Sequence, residues 1–397
     1  MLARPPAAHL RREHASNERA PKAGSHTRRS KEPMAAIREA LTGNAPLSLA
    51  LGGLLIGGLF GAVVFRTNYC AMGSLSDIYN FGDYRRFRAW LLAAATALLG
   101  AQLLARGGVV ALDKSMYLAP TLNWVGNVVG GVVFGIGMVF AGGCPSRNLA
   151  RAGAGDLRSL ITLVVLGLTA YMAIGGLLGP VRARMEAATA VSLGLESQGL
   201  DHLLSAILRA PIGVANLLAT LVLAGGVALY CAADKKFRAS PVHILSGLAV
   251  GGCVVAGWAL TGLAVDEFAA RPMQPVSLTY IRPTGDALEW LQRFTAEPVP
   301  SFGVSSVFGA LVGAGAAAVA MGRFRLIGFS DTGDMIRNLL GAALMGVGGV
   351  LALGCTVGQA ITGVSTLAFG SLLTFAAIVV GGFWGLRLLE RTLLDAN

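Results

Sequence analysis

Five cysteines are the residues of this sequence with the widest range of possible chemistry. Thiols can hold metals, form disulfides, act as nucleophiles or donate weak hydrogen bonds. The sequence contains no CxxC pair, and no histidine lies at metal-ligand spacing from a cysteine. Neither a zinc site nor a disulfide framework is therefore predicted. We expect no metal and no cofactor, and each cysteine has to be judged by its position in the chain.

The sequence changes character abruptly at two of these cysteines. Cys144 and Cys355 each end a glycine-rich apolar stretch, and they are followed by Pro145–Asn148 (PSRN) and Thr356–Gln359 (TVGQ). Proline is favoured in the first turn of a helix, where its missing N–H group is not needed. The pattern predicts a short half-helix that starts directly after each cysteine, inside the apolar region.

Such half-helices would create a site for an anion. The first turn of a helix has free N–H groups and the positive end of the helix dipole. Ser146 and Thr356 could cap the two turns, Arg147 could supply positive charge, and Gln359 could line the route. Polar side chains of this kind also bond between helices without any further role.

Cys70 lies in a third interrupted stretch. Arg66 and Asn68 break the apolar run just before it, and a moderately apolar turn follows, which is typical of a broken helix. Asn68 is therefore a further candidate for the lining of a route. Cys231 and Cys253 lie within uninterrupted apolar stretches, where the simplest interpretation is packing as small hydrophobic side chains.

The composition indicates an integral membrane protein. Of 397 residues, 54% are hydrophobic, 13% are charged and 54 are glycine, whereas soluble domains are about 25% charged and about 7% glycine. So little polar surface cannot cover a soluble domain, and the apolar content excludes a disordered chain. The net charge of +11 lies in a terminal tail and in short loops. This favours contact with membrane lipid head groups and predicts no nucleic-acid binding.

We predict an all-α membrane protein with about nine transmembrane helices, each long enough, or nearly so, to cross about 30 Å of hydrocarbon. The predicted spans are 46–65, 89–111, 123–142, 159–180, 211–231, 242–264, 303–322, 338–354 and 367–389. The segment from Ala187 to Leu208 is only mildly apolar and is predicted to be an interfacial or loop helix.

The remaining segments divide the chain into parts. Residues 1–45 form a predicted disordered, basic tail, 46–231 and 242–389 are two transmembrane halves, and 390–397 are a C-terminal tail. The longest polar connection, 266–301, contains five prolines and is predicted to be a surface loop. The loops on the C-terminal side of the membrane carry more Lys and Arg, which predicts a cytoplasmic C-terminus.

An internal repeat relates the two halves. At an offset of 211 residues, glycines of Gly130–Gly153 match glycines of Gly341–Val364, and Cys144 matches Cys355. The matched spans are the third and the eighth, and a weaker match at an offset of 194 relates the first to the sixth. Because both pairs are five spans apart, the two copies cross in opposite directions. This predicts an inverted repeat with a substrate site near the membrane midplane.

Three motifs carry a family resemblance. They are TNYCAMGSLSDI around Cys70, GIGMVFAGGCPSRNLARAG around Cys144 and GAALMGVGGVLALGCTVGQ around Cys355. They resemble the YeeE/YedE family of sulfur-compound transporters, and the resemblance covers the chain from about 46 to 389. It implies an hourglass-shaped protein that takes up thiosulfate between short re-entrant helices. It also implies that these three cysteines contact the ion and that a TusA-like sulfur-carrier protein is a functional partner.

Thiosulfate would suit such a passage for physical reasons. It is a dianion with a soft terminal sulfur, and its charge cannot be buried without partners. Half-helix N–H groups, with Arg147 or Arg66, would meet the charge, and weak S–H donors would hand the ion on rather than trap it. We therefore predict a bacterial inner-membrane importer that acts without covalent chemistry.

Other classes stay open. A membrane sulfurtransferase would carry sulfur as a cysteine persulfide, but it needs an activated thiolate beside a base, and no histidine lies near the three cysteines in sequence. A channel-like or structural membrane protein would use the glycine repeat only for packing. The cargo could also be sulfite or a selenium compound.

Overall fold

The computed structural model describes residues 38, 41–265 and 273–394. Within these residues the chain is 76% helical with almost no sheet. Nine of its helices are long and apolar enough to cross a membrane. This confirms the prediction of an all-α integral membrane protein. The predicted basic tail lies almost entirely outside the described residues.

The α-helices, in chain order, are α1 Ala45–Thr67, α2 Ala71–Phe81, α3 Arg85–Arg106, α4 Gly131–Phe140, α5 Pro145–Gly153, α6 Leu157–Ile174, α7 Gly179–Thr189, α8 Leu200–Leu208, α9 Ile212–Ala233, α10 Lys235–Arg238, α11 Pro241–Ala264, α12 Arg282–Arg293, α13 Phe302–Ala320, α14 Thr332–Leu351 and α15 Phe369–Leu394. Strands β1 Thr121–Leu122 and β2 Val191–Ser192 pair antiparallel, and Gly126–Gly130 and Gly358–Gly363 form short π-helices. Two 3₁₀ turns, Leu112–Lys114 and Met116–Leu118, precede β1.

The prediction of a surface loop over 266–301 is wrong for residues 277–290, which are mostly buried or half-buried and include most of helix α12, whereas residues 291–299 are exposed. Leu278, Tyr280 and Ile281 are buried, with exposed fractions of 0%, 0% and 2%, and α12 begins directly after them. Pro283 lies in the first turn of α12, where a proline favours a helix start. The prolines therefore mark a change from extended chain to helix inside the bundle.

Two further boundaries differ from the predictions. Helix α15 continues to Leu394, so the first residues of the predicted C-terminal tail extend the last span. The segment predicted as one interfacial helix, Ala187 to Leu208, contains the end of α7, strand β2 and α8. Gly194, between the last two, has a φ of +66°, a conformation that ends regular structure and favours glycine.

Helices α1 and α13 pack backbone against backbone through glycine. A Cβ atom on Gly57 would lie 2.2 Å from the carbonyl oxygen of Ser306, and one on Gly61 would lie 2.1 Å from that of Ala310. Lipid tails are as apolar as side chains, so membrane helices associate through such close van der Waals contact. This packing holds the end of α1, from which the chain turns towards Cys70.

Helix α4 packs against α14 in the antiparallel direction. Gly137 approaches Gly341, whereas Gly130, two turns earlier, approaches Gly348. In both halves a long helix is followed by a cysteine, a short helix and another long helix. The inverted repeat itself stays a prediction. It requires α4 and α14 to run in opposite directions, and they do.

We predict that the Gly57→Ala variant is less stable than the wild type by about 1–3 kcal/mol, the usual cost of overpacking. The added methyl group would meet the backbone of Ser306. The measurement is thermal unfolding in detergent. Gly58→Ala is the matched control, since the nearest atom to its Cβ would be the Gly309 carbonyl oxygen at 3.7 Å. Equal midpoints for the two variants would contradict the role given to this contact.

Candidate functional site

A cysteine stands at the start of three short helices. Cys70 and Cys144 are the N-cap residues of α2 and α5, and Cys355 lies three residues before the π-helix Gly358–Gly363. The Gly73 N–H group donates to the Cys70 sulfur at 3.3 Å, and the Gly358 N–H group donates to the Cys355 sulfur at 3.4 Å. Two of the thiols thus satisfy backbone donors that a helix start leaves free.

The same turn precedes all three cysteines. Asn68, Gly142 and Leu353, each two positions before a cysteine, have φ values of 56°, 67° and 60°. In each turn the residue after the left-handed one donates its N–H group to the carbonyl oxygen five residues before it, at 2.8–3.1 Å. This is the long hydrogen bond of a Schellman motif. The preceding helix therefore ends in a fixed geometry that reverses the chain and presents the cysteine.

The three thiols converge in one buried cluster, which we call the thiol centre (Cys70, Cys144 and Cys355). Their exposed fractions are 8%, 1% and 0%. The thiols of Cys70 and Cys144 interact directly, and Cys144 also interacts electrostatically with Cys355. The Cys144 sulfur lies 3.2 Å from the Ser146 hydroxyl oxygen. Residues far apart in sequence thus build a single sulfur-lined site.

Arg147 supplies a positive charge next to the thiol centre. The half-buried guanidinium interacts electrostatically with Cys70 and Cys144, and it makes no hydrogen bond or ion pair with another residue that the structure describes. The neighbouring Arg86 and Arg151 are both neutralised, by Asp77 at 3.0 Å and Asp156 at 2.6 Å. Arg147 is therefore the guanidinium of this group that is available to an anion.

The structure brings two of the other predicted residues to the thiol centre. Ser146 is buried against Cys144, and the buried Thr356 side chain also lies near that thiol. The Thr356 hydroxyl makes no hydrogen bond of normal geometry within the described residues. Both side chains present oxygen atoms next to sulfur.

Two predicted residues have other surroundings. Asn68 has an exposed side chain, and its carbonyl oxygen accepts a hydrogen bond from Arg86 at 3.1 Å. Gln359 is buried with both amide atoms in use: its nitrogen donates to the Ala352 carbonyl oxygen and its oxygen accepts from the Ser371 hydroxyl, each at 2.6 Å. Gln359 thus fixes the turn that carries Cys355.

A cavity lies beside the Cys355 turn. Its volume is about 380 Å³, and Gln359, Gln198 and Tyr117 are among its lining residues. The buried Tyr117 phenol interacts electrostatically with Cys355. This side of the thiol centre therefore has open space near it within the bundle.

The structure also reveals neighbours that the sequence analysis missed. Tyr69 and Tyr280 are buried beside the thiols. Each tyrosine lies two residues before a helix: Cys70 separates Tyr69 from α2, and Ile281 separates Tyr280 from α12. The signal was present in the sequence, because the offset of 211 residues that relates Cys144 to Cys355 also places Tyr280 on Tyr69. The apparent surface loop concealed it.

Helices that stop and restart inside a membrane bundle, around a buried polar site, define the class of multi-pass membrane transporters. Comparison with known families makes this specific: the chain belongs to the Sulphur transport family, whose model matches residues 66–384. The protein is thus a membrane transporter for a sulfur compound.

Three relatives illustrate what this chain is similar to. The thiosulfate transporter TsuA of Spirochaeta thermophila is 28% identical over 335 residues, which is 83% of this chain and 96% of that protein. The thiosulfate transporter TsuA of Escherichia coli is 26% identical over 84% of this chain and 93% of its own length. The probable transporter YedE of Salmonella typhimurium is 29% identical over 26% of this chain and 24% of its own.

Proposed function

We propose that this protein imports thiosulfate, or a closely related sulfur oxyanion, across a bacterial inner membrane. The observation that carries the proposal is the thiol centre, in which three buried sulfurs from separate segments meet beside Arg147, which has no ion-pair partner among the described residues. The names of two relatives that match most of the chain, both thiosulfate transporters, support the choice of substrate.

The charge of the anion needs compensation at the narrowest point of its route. Two negative charges in a low-dielectric interior are costly unless donors replace their water. Arg147 offers a cation, and the backbone N–H groups of Gly73 and Gly358 point at the sulfurs of the thiol centre. An ion that displaces these weak N–H···S contacts gains donors that the protein already holds in place.

The thiols suit the sulfur end of the ion. An S–H group is a weak donor and sulfur is polarisable, so each contact with a terminal sulfur is modest. Three such contacts in succession allow the ion to move on, because no single site binds it tightly. The transfer is a change of hydrogen-bond partners, and no covalent bond forms.

The short helices lead away from the thiol centre towards opposite ends of the bundle. Helix α2 reaches the C-terminal end of α15, where the Tyr79 hydroxyl donates to Glu390 at 2.7 Å. The π-helix Gly358–Gly363 leads to the other end of α15, where Gly363 lies against Ser371. This arrangement supports an hourglass-like route. The larger number of Lys and Arg in the loops on the C-terminal side favours a cytoplasmic C-terminal end, and we propose a TusA-like carrier protein as consumer of the imported sulfur there.

A sulfurtransferase that uses a cysteine persulfide is the second candidate. It needs a base that activates one thiol. In the part of the chain that the structure describes, His243 is engaged elsewhere, with a ring nitrogen 2.6 Å from the Ser240 hydroxyl oxygen. His202 lines a separate cavity of about 890 Å³. The names of the relatives also favour transport.

We expect uptake of radiolabelled thiosulfate by cells that lack their own thiosulfate importers. Cys70→Ala, Cys144→Ala and Cys355→Ala should each reduce this uptake strongly at matched membrane expression, because each removes an S–H contact. Cys231→Ala is the control, since the buried Cys231 thiol donates instead to the carbonyl oxygen of Arg88 at 3.5 Å.

The possible results separate the candidates. Uptake by the wild type and by all four variants would refute the thiol contacts but not the transport. No uptake by the wild type would refute thiosulfate import and would direct attention to sulfite, selenium compounds or sulfur transfer.

We predict that Arg147→Gln raises the apparent KM for thiosulfate about 10-fold to 100-fold, the range expected when a hydrogen bond to a charged group is lost. Arg147→Lys should raise the apparent KM by a smaller factor, because the positive charge remains. The same uptake assay measures both. Arg293→Gln is the control, since the Arg293 guanidinium is exposed at the end of α12 and pairs with Glu289 at 2.7 Å. An unchanged KM for Arg147→Gln would contradict the role of this guanidinium.

A further inference from the structure

Two phenol groups beside the thiol centre lack a hydrogen-bond partner within the described residues. They belong to Tyr69 and Tyr280, whose exposed fractions are 6% and 0%. Most buried polar groups in proteins are hydrogen-bonded, because a buried group without a partner costs free energy. Two such groups at one site indicate that their partner is a molecule other than the protein.

The two tyrosines lie next to different thiols. The phenol of Tyr69 interacts electrostatically with Cys144 and Cys70, and the phenol of Tyr280 interacts with Cys253 and Cys355. The backbone N–H group of Tyr280 also points at the Cys355 sulfur. Between them, the two phenols are therefore near all three cysteines of the thiol centre.

Both tyrosines are held in place by contacts that leave the hydroxyl group free. The backbone N–H group of Tyr69 bonds to the Val64 carbonyl oxygen at 3.1 Å in the turn after α1, and its ring is packed in the apolar core. The ring of Tyr280 packs on Phe60, with ring centroids 5.1 Å apart. The phenols are thus fixed donors before any ligand arrives, which lowers the entropic cost of binding.

A phenol differs from the other unpartnered hydroxyls in the bundle. Ser305 and Thr374 also lack partners, but serine and threonine can rotate to a carbonyl group of their own helix. The hydroxyl group of a tyrosine sits at the end of a rigid ring and cannot reach its own backbone. For Tyr69 and Tyr280 a ligand is therefore the simplest source of a partner.

We propose that Tyr69 and Tyr280 are substrate-binding residues, which donate O–H hydrogen bonds to the oxygen atoms of the transported anion while the thiols contact its sulfur. This inference rests on the proposed function. It assigns the two ends of a thiosulfate-like ion to two kinds of donor, since O–H is a stronger donor to a charged oxygen than S–H. The site then selects an ion that carries both sulfonate oxygens and a terminal sulfur.

The test is thermal unfolding of the purified, full-length protein in detergent during a titration with sodium thiosulfate. The wild type should be stabilised as the ion binds. The thiosulfate concentration that gives half of the maximal shift in unfolding temperature should be at least about tenfold higher for Tyr69→Phe and for Tyr280→Phe than for the wild type. Without thiosulfate both variants should be at least as stable as the wild type, because neither phenol bonds to a residue that the structure describes.

Tyr79→Phe is the control. It removes a phenol that bonds to Glu390 at the end of the bundle, away from the thiol centre, and its titration should match that of the wild type. Titrations of Tyr69→Phe and Tyr280→Phe that match the wild type would overturn the inference and leave the transport function standing. A loss of stability in these variants without thiosulfate would overturn it too, since it would show a structural partner. No response of the wild type, together with no uptake in cells, would refute the proposed function and this inference with it.

Discussion

The structure depends on one constraint: a helix that starts inside a membrane bundle has backbone N–H groups for which no water is available. Each unsatisfied group in hydrocarbon is costly. At α2 and at the π-helix Gly358–Gly363 the protein meets the constraint with sulfur, as the Cys70 and Cys355 thiols accept hydrogen bonds from Gly73 and Gly358. Weak acceptors of this kind satisfy the backbone and remain easy to displace.

The turns and the helix packing follow from this constraint. A chain that must stop and restart within a few residues needs a compact reversal, and the three left-handed residues Asn68, Gly142 and Leu353 provide it. The reversals keep their place only if the surrounding helices are fixed. Contacts such as that between Gly57 and Ser306, where a Cβ atom would not fit, provide that rigidity. The glycine contacts between helices therefore fix the positions of the cysteines indirectly.

Much of this arrangement could be predicted from the sequence. The apolar stretches predict the nine spans, and the abrupt polar residues after Cys144 and Cys355 predict helices that restart there. These features are local, since hydrophobicity and turn chemistry are written in neighbouring residues. The position of Cys70 beside them could be predicted only from the resemblance to a family.

The rest depends on contacts between distant segments. Residues 277–281 look like part of a surface loop because prolines and polar residues surround them, yet Leu278, Tyr280 and Ile281 are buried in the interior. Gln359 looks like a lining residue, but Ala352 and Ser371 use both ends of its amide. The sequence predicts Arg147 as a source of positive charge, but only the structure shows that the neighbouring Arg86 and Arg151 have carboxylate partners. No pattern in the sequence records such pairings.

The measurement that tests the central claim most directly is an experimental structure of the full-length protein determined in sodium thiosulfate. The account predicts density for the ion at the thiol centre, with its sulfur within hydrogen-bonding distance of the Cys144 thiol and the Arg147 guanidinium beside it. Density for thiosulfate elsewhere, for example in the cavity of about 890 Å³ lined by Gln102 and Asp201, with the thiol centre empty, would contradict the account.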